Sequence, residues 1–263
     1  MSKAADILRE SRKVVLKIGS NVLACEDGML DKERVKQIVA QALELMNDGK
    51  RVVLVSSGAG VSGAARVGRL NRRDDINFKQ ALCAVGQVEL MMEYKKHFEA
   101  SDKTVGQILL TTENFCDDDS RLNIRNTLFT LIDENVVPII NENDSVCIRE
   151  FSFGDNDNLA ALTANLWSAD LLIVMSDVDG VFDSSPANNP EAKLIQEVTN
   201  VNALGEQIVT GGISSFGTGG MDSKLEAAKT VGDYGIPMLL VNGKRENVLS
   251  DVAAGGSCTV FIP

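Results

Sequence analysis

Unbroken apolar, β-branched stretches alternate along this chain with segments of helical period, and no other feature restricts the fold as much. KVVLKI (13–18) is apolar, rich in β-branched residues and stops at Gly19, so it reads as a buried strand. RVVLVSS (51–57), TVGQILL (104–110), VVPIIN (136–141), ADLLIVMS (169–176) and MLLV (238–241) read the same way. Helical segments lie between them. Asp31 can cap a helix whose apolar positions Val35, Ile38, Val39, Ala42, Leu43 and Met46 keep the helical period, and Gly49 suits the left-handed residue past its end. Further helices are predicted over 77–100, 121–134 and 221–233, the last stopped by Gly235 and Pro237. Repeated β–α–β units predict an α/β fold with a mainly parallel open sheet, covered on both faces and joined by right-handed crossovers. The chain shows no linker, internal repeat or low-complexity tract. A single domain over 1–263 is expected, with the Ser-, Asn- and Pro-containing stretch 183–190 as a surface loop.

Charge and composition narrow the chemistry. Lys plus Arg number 26 against 37 Asp plus Glu, a net charge of -11, which repels phosphate backbones at long range and argues against nucleic acid as a partner. The five cysteines are scattered, odd in number and form no CxxC, the pattern of neither a zinc site nor a disulfide framework. MSKAADILRESRK at the start is charged, without an apolar signal core, and no apolar run reaches the ~18 residues of a membrane span. A cytoplasmic protein with no membrane contact is expected. The one histidine, His97, reads as an exposed residue near a helix end. Lysines, carboxylates and backbone N–H groups are then left to carry any catalysis.

Ligands of parallel α/β sheets sit at the carboxyl ends of the strands. The residues there are Gly19-Ser20-Asn21, Ser56-Ser57-Gly58, Asn141-Glu142-Asn143-Asp144 and Ser176-Asp177, all polar or glycine. FGDNDN (153–158) adds Asp155, Asn156, Asp157 and Asn158 ahead of an apolar run beginning at Leu159, suggesting a helix cap, a site, or both. Lys17 interrupts an apolar strand. It either points into the crevice or marks an edge strand facing water. SSGAGVSG matches G-x-G-x-x-G, yet the acids at a suitable distance, Asp74 and Asp75, follow no strand. A backbone approach to a small anion suits these glycines better than a dinucleotide. GTGGMDSKLEAAK (217–229) opens a helix with free N–H groups at Thr218, Gly219 and Gly220, and Lys224 within reach, an anion site without the P-loop signature. Two lysines, glycine-rich turns and grouped carboxylates suit phosphoryl transfer, which needs positioning and charge neutralisation more than a base. A carboxylate acceptor needs no base at all.

In order along the chain, VVLKIGSNVL (14–23), VVLVSSGAGVSG (52–63), LNIRNTLFTLI (122–132), VPIINENDSV (137–146), FGDNDNLAALTA (153–164), SDVDGVF (176–182) and GTGGMDSKLEAA (217–228) resemble the motifs of the amino-acid kinase family. The INEND and FGDND pair resembles its glutamate-phosphorylating branch. The resemblance implies a three-layer α/β/α sandwich. It also implies transfer of the ATP γ-phosphoryl group, with Mg²⁺, to the side-chain carboxylate of L-glutamate, the first step of proline biosynthesis. By motif position, Lys17 and Lys224 would stabilise the transferring phosphoryl group and Asp157 would hold both lysines. Ser57, Asp144, Asp155 and Asn156 would bind glutamate. Lys17, Ser176, Asp177, Thr218, Gly219, Gly220, Met221, Asp222, Ser223 and Lys224 would line the ATP site, with no protein side chain assigned to a metal. Many relatives carry Thr at the position of Ser223, and many carry a C-terminal RNA-binding-type (PUA) domain for which these residues show no counterpart. The family also implies a homo-oligomer (dimer or tetramer) and feedback inhibition by proline, and the lability of an acyl phosphate suggests handover to a glutamyl phosphate reductase. Other acceptors in the family are acetylglutamate, aspartate, carbamate and nucleoside monophosphates. A non-catalytic module keeping the fold would be marked by loss of Lys17, Asp157 or Lys224, and all three are present.

Overall fold

The computed structural model describes residues 2–67, 75–146, 156–184, 186, 189, 191–207 and 220–263. The elements follow in the order α1 (Lys3–Glu10), β1 (Lys13–Ile18), α2 (Ser20–Leu23), α3 (Lys32–Asn47), β2 (Arg51–Ser56), α4 (Ala59–Val67), α5 (Ile76–Glu99), β3 (Thr104–Leu110), α6 (Asp118–Asp133) and β4 (Val136–Glu142). After these come α7 (Asn156–Trp167), β5 (Leu171–Ser176), β6 (Val181–Phe182), β7 (Leu194–Ile195), β8 (Glu197–Val198), α8 (Val201–Gln207), α9 (Met221–Gly232), β9 (Met238–Asn242), α10 (Val248–Ala253) and β10 (Thr259–Phe261). The six predicted strands and four predicted helices are all present. Asp31 caps α3 as expected, accepting from the Arg34 N–H at 2.9 Å. The α6 helix begins at Asp118 rather than Arg121 because Asp117 supplies the cap, accepting from the Ser120 N–H at 2.8 Å. Asp75, one of the two acids weighed for a dinucleotide site, caps α5 instead, 3.2 Å from the Phe78 N–H. Asp74, Arg-rich 72–73 and part of the 183–190 loop lie outside the described residues.

Among the described residues the main sheet has eight strands in the order β3-β4-β2-β1-β5-β9-β10-β8. Its pairings from β3 to β9 are parallel, whereas β10 runs antiparallel to β9. The β10 and β8 strands are two or three residues long, too short to show a period.

Side chains alternate across a strand, so β1 feeds two different layers. Val14, Leu16 and Ile18 join a cluster with Val35, Ile38 and Ala42 of α3 and Leu90, Tyr94 and Phe98 of α5. Val15 joins the opposite cluster, with Leu159, Ala160 and Ala164 of α7 and Leu225 and Val231 of α9. These are the two faces of a three-layer sandwich. Lys17 has the parity of Val15, so it enters the α7–α9 layer. Its strand is central, with Lys17 in register with Val55 on one side and Val174 on the other. The edge-strand alternative for Lys17 therefore falls.

Within SSGAGVSG, Gly63 is required by packing. Gly58 takes φ +106°, and a Cβ on Gly63 would overlap the Leu82 carbonyl, as one on Gly86 would overlap that of Ala59. The α4 and α5 backbones thus approach closely because neither glycine has a side chain. His97 departs from expectation too. It is mostly covered, with Nε2 3.0 Å from Glu93 Oε1 on its own helix.

Candidate active site

The carboxyl ends of β1, β2, β4 and β5 and the first turns of α7 and α9 converge. The α7 helix begins at Asn156, not at Leu159, so Asn156 and Asp157 lie inside its first turn. A carboxylate there is favoured by the exposed N–H groups and the helix dipole. Lys17 Nζ pairs with Asp157 Oδ1, and Lys224 Nζ stands 3.3 Å from Asp157 Oδ2. One carboxylate therefore holds two ammonium groups through separate oxygens. All three are buried, with exposures of 3% for Lys17, 0% for Asp157 and 5% for Lys224. Ser223 Oγ lies 3.2 Å from Asp157 Oδ2 and 2.8 Å from the Gly220 carbonyl, so the hydroxyl that Ser shares with Thr is put to use. Gly19 beside this group packs most tightly against β5. A Cβ there would come within 3.7 Å of Lys17 Nζ and 3.3 Å of the Met175 carbonyl.

Beside the trio lies a second, uncharged constellation. Asn156 Nδ2 donates to Ser57 Oγ and to Asn141 Oδ1, each at 2.8 Å. The Asn141 oxygen is identified by the Glu142 backbone N–H, which can only donate and reaches it at 2.8 Å. Asn156 must then present its amide nitrogen, and its buried Oδ1 has no hydrogen-bond partner among the described residues. Ser57 accepts through Oγ, so its proton is available to an anion. Asp144 is half-buried and takes a hydrogen bond from Cys83; burial foremost, then the Asp144 charge, pushes that thiol up to about 12.

The far side of the crevice is lined by Ser176 and Asp177, whose side chains lie 3.2 Å apart, with Asn21 Nδ2 donating to Asp177 at 3.0 Å. Gly220 caps α9 with no side-chain bond, which suits an anion at the first-turn N–H groups. Met221, Asp222, Ser223 and Lys224 follow in that turn, the Asp222 side chain exposed. Asp155, Thr218 and Gly219 lie outside the described residues. Asn21 and Asn141 were named from sequence only as strand-end residues without a role, and Gln87 (which accepts from Asn141 Nδ2 at 2.7 Å) was not singled out at all. Gln87 carried one usable signal, a polar side chain next to the apolar face of a helix.

The Amino acid kinase family model matches residues 12–242. The chain belongs to the amino acid kinase family. Among similar members, the glutamate 5-kinase of Alkaliphilus metalliredigens is 50% identical over 257 residues, covering 97% of both chains. The glutamate 5-kinase of Clostridium tetani is 42% identical, covering 96% of this chain and 94% of that one. The one from Geobacter sulfurreducens is 43% identical over 98% of this chain and 69% of its own length. Among solved structures, carbamate kinase from Giardia lamblia matches with a TM-score of 0.68 at 16% identity over 97% of this chain and 99% of that one. UMP kinase from Bacillus anthracis matches with a TM-score of 0.64 at 18% identity over 96% of each. This is the amino acid kinase fold, as the motifs implied. Among the described residues, no helix is long and apolar enough to cross a membrane, and no group of three or more His, Cys, Asp or Glu could hold a metal ion.

Proposed function

We propose that this amino acid kinase transfers the γ-phosphoryl group of ATP to the side-chain carboxylate of L-glutamate. The observation that carries the reading is the Lys17–Asp157–Lys224 trio beside the Ser57–Asn156 pair. The acceptor carboxylate is already ionised, so one of its oxygens bonds to the γ-phosphorus as the bond to the bridging oxygen breaks and ADP leaves. No proton moves, which accords with a site built from lysines rather than a histidine. Lys17 and Lys224 face the charge spread over the transferring oxygens, and Asp157 fixes both ammonium groups before the substrate arrives.

The acceptor's other end selects it. Ser57 can donate to the α-carboxylate, while Asn156 Oδ1 and Asp144 can accept from the α-ammonium. Acetylglutamate lacks that ammonium, and a nucleoside monophosphate or carbamate lacks the whole head group. The relatives named glutamate 5-kinase favour the same acceptor. The nucleotide is assigned to the crevice between Ser176–Asp177 and the first turn of α9. Mg²⁺, when bound, would neutralise phosphate oxygens. It is assigned to the nucleotide phosphates, the common arrangement in phosphoryl transfer. This reading makes the reaction the first step of proline biosynthesis, in the cytoplasm. Proline becomes a candidate inhibitor, and a reductase the consumer of the acyl phosphate.

Trapping the acyl phosphate with hydroxylamine tests it. An ATP- and Mg²⁺-dependent hydroxamate is expected with L-glutamate and not with L-aspartate or acetylglutamate. A signal only with another carboxylate would move the acceptor and retain the mechanism.

A further inference from the structure

Three residues of α5 reach the acceptor pocket from the layer opposite the lysines. Cys83 bonds Asp144, Gln87 bonds Asn141, and Tyr94 lies 2.8 Å from Ser56 Oγ, which donates to the Ser57 carbonyl. At positions i, i+4 and i+11 of a 3.6-residue helix they fall within about 40° of one another on one face. The depth of that face is set by the glycine contacts with α4.

We propose that Gln87 is a positioning residue for the acceptor, acting through Asn141 on Asn156 and Ser57; this deepens, and rests on, the acceptor reading above. The argument is one of donors and acceptors. Asn141 Oδ1 takes two hydrogen bonds, from the Glu142 N–H and Asn156 Nδ2. A flipped Asn141 would set an NH₂ group against both donors. Gln87 Oε1 receives Asn141 Nδ2 at 2.7 Å, and so rewards the one orientation in which Asn156 keeps its nitrogen toward Ser57 and its Oδ1 free. Without Gln87 the buried Nδ2 of Asn141 loses its acceptor, an outcome a buried polar group resists. The bond to Asn141 is the route by which Gln87 acts on the acceptor pocket. Gln87 Oε1 is occupied by Asn141, and its buried Nε2 has no hydrogen-bond partner among the described residues. The effect of Gln87 therefore falls on the acceptor and leaves the nucleotide alone.

The test is steady-state kinetics of Gln87→Met, Gln87→Glu, Asn141→Ala and the Gln87→Met/Asn141→Ala double variant. The wild-type chain is first run with each carboxylate, and the acceptor it phosphorylates is used throughout. Failure with L-glutamate would count against the acceptor reading alone. The expected result for Gln87→Met is a KM for the acceptor raised about tenfold, with the KM for ATP within about twofold of wild type. Gln87→Glu keeps an oxygen toward Asn141 and should fall between Met and wild type, which also covers a Met variant that fails to fold. In the Asn141→Ala background, Gln87→Met should add less than about twofold, since the relay is already cut. Equal rises in both KM values, a Gln87→Glu variant as impaired as Gln87→Met, or effects that multiply in the double variant would overturn the proposal.

Discussion

Asp157→Asn separates the roles of the buried trio most sharply. The carboxylate it removes is 0% exposed and serves two ammonium groups that are 3% and 5% exposed. Removing one partner of a buried ion pair leaves a desolvated charge and costs roughly 3–5 kcal/mol. At about 2 °C per kcal/mol for a chain of this size, the melting temperature should fall by about 6–10 °C. Lys224→Met should cost less, because Asp157 keeps Lys17 as its partner. Catalysis should rank differently. On the proposed mechanism Lys224→Met removes a donor to the transferring group and should lower kcat by about 10²–10³. Asp157→Asn leaves both lysines in the chain but unanchored, so its loss combines activity and stability. Differential scanning calorimetry and the hydroxamate assay on the same preparations give both quantities. A melting temperature within about 2 °C of wild type for Asp157→Asn would show that the trio is not held as the geometry states. A folded Lys224→Met retaining near-normal kcat would remove the lysine from the chemistry.

Three further outcomes follow from other parts of the molecule. Ser57→Ala would delete the hydrogen bond proposed to the acceptor's α-carboxylate, worth roughly 1.5–3 kcal/mol, and should raise the KM for the acceptor by about 10- to 100-fold with ATP binding intact by calorimetry. Gly63→Ala drives a Cβ into the Leu82 carbonyl. It should destabilise the chain by about 1–3 kcal/mol or more, measured by urea unfolding, whereas Gly49→Ala meets no neighbour and pays only for its left-handed backbone at φ +82°. Burial, then Asp144, raises the Cys83 thiol from 9.0 to about 12. The folded state thus holds a proton that the unfolded state releases, so this contribution is complete below pH 9 and is lost as pH rises toward 12. Over that interval the stability of Cys83→Ala should fall less steeply than that of wild type.

Local rules made much of this protein legible. The strand at 13–18, the Asp31 cap and the helix stop at Gly235 and Pro237 each depend on a few neighbouring residues. Lys17 and Asp157 announced themselves as charges where apolar residues or a lone cap would have sufficed. The motifs carried the family and the acceptor. Where Lys17 points followed from alternation only once β1 was known to be central, because sheet order depends on pairings between segments far apart in the chain. Gly63 looked like part of an anion-binding turn, and only the approach of α5 revealed the helix it must clear. The reach of α5 to the pocket left only a faint local trace, a polar Gln87 beside an apolar helix face. A glutamine on a helix becomes meaningful when an asparagine 54 residues later meets it at the end of β4. Short-range propensity and spacing are written into neighbouring residues, while the orientation of a buried amide is decided by the donors that packing brings around it.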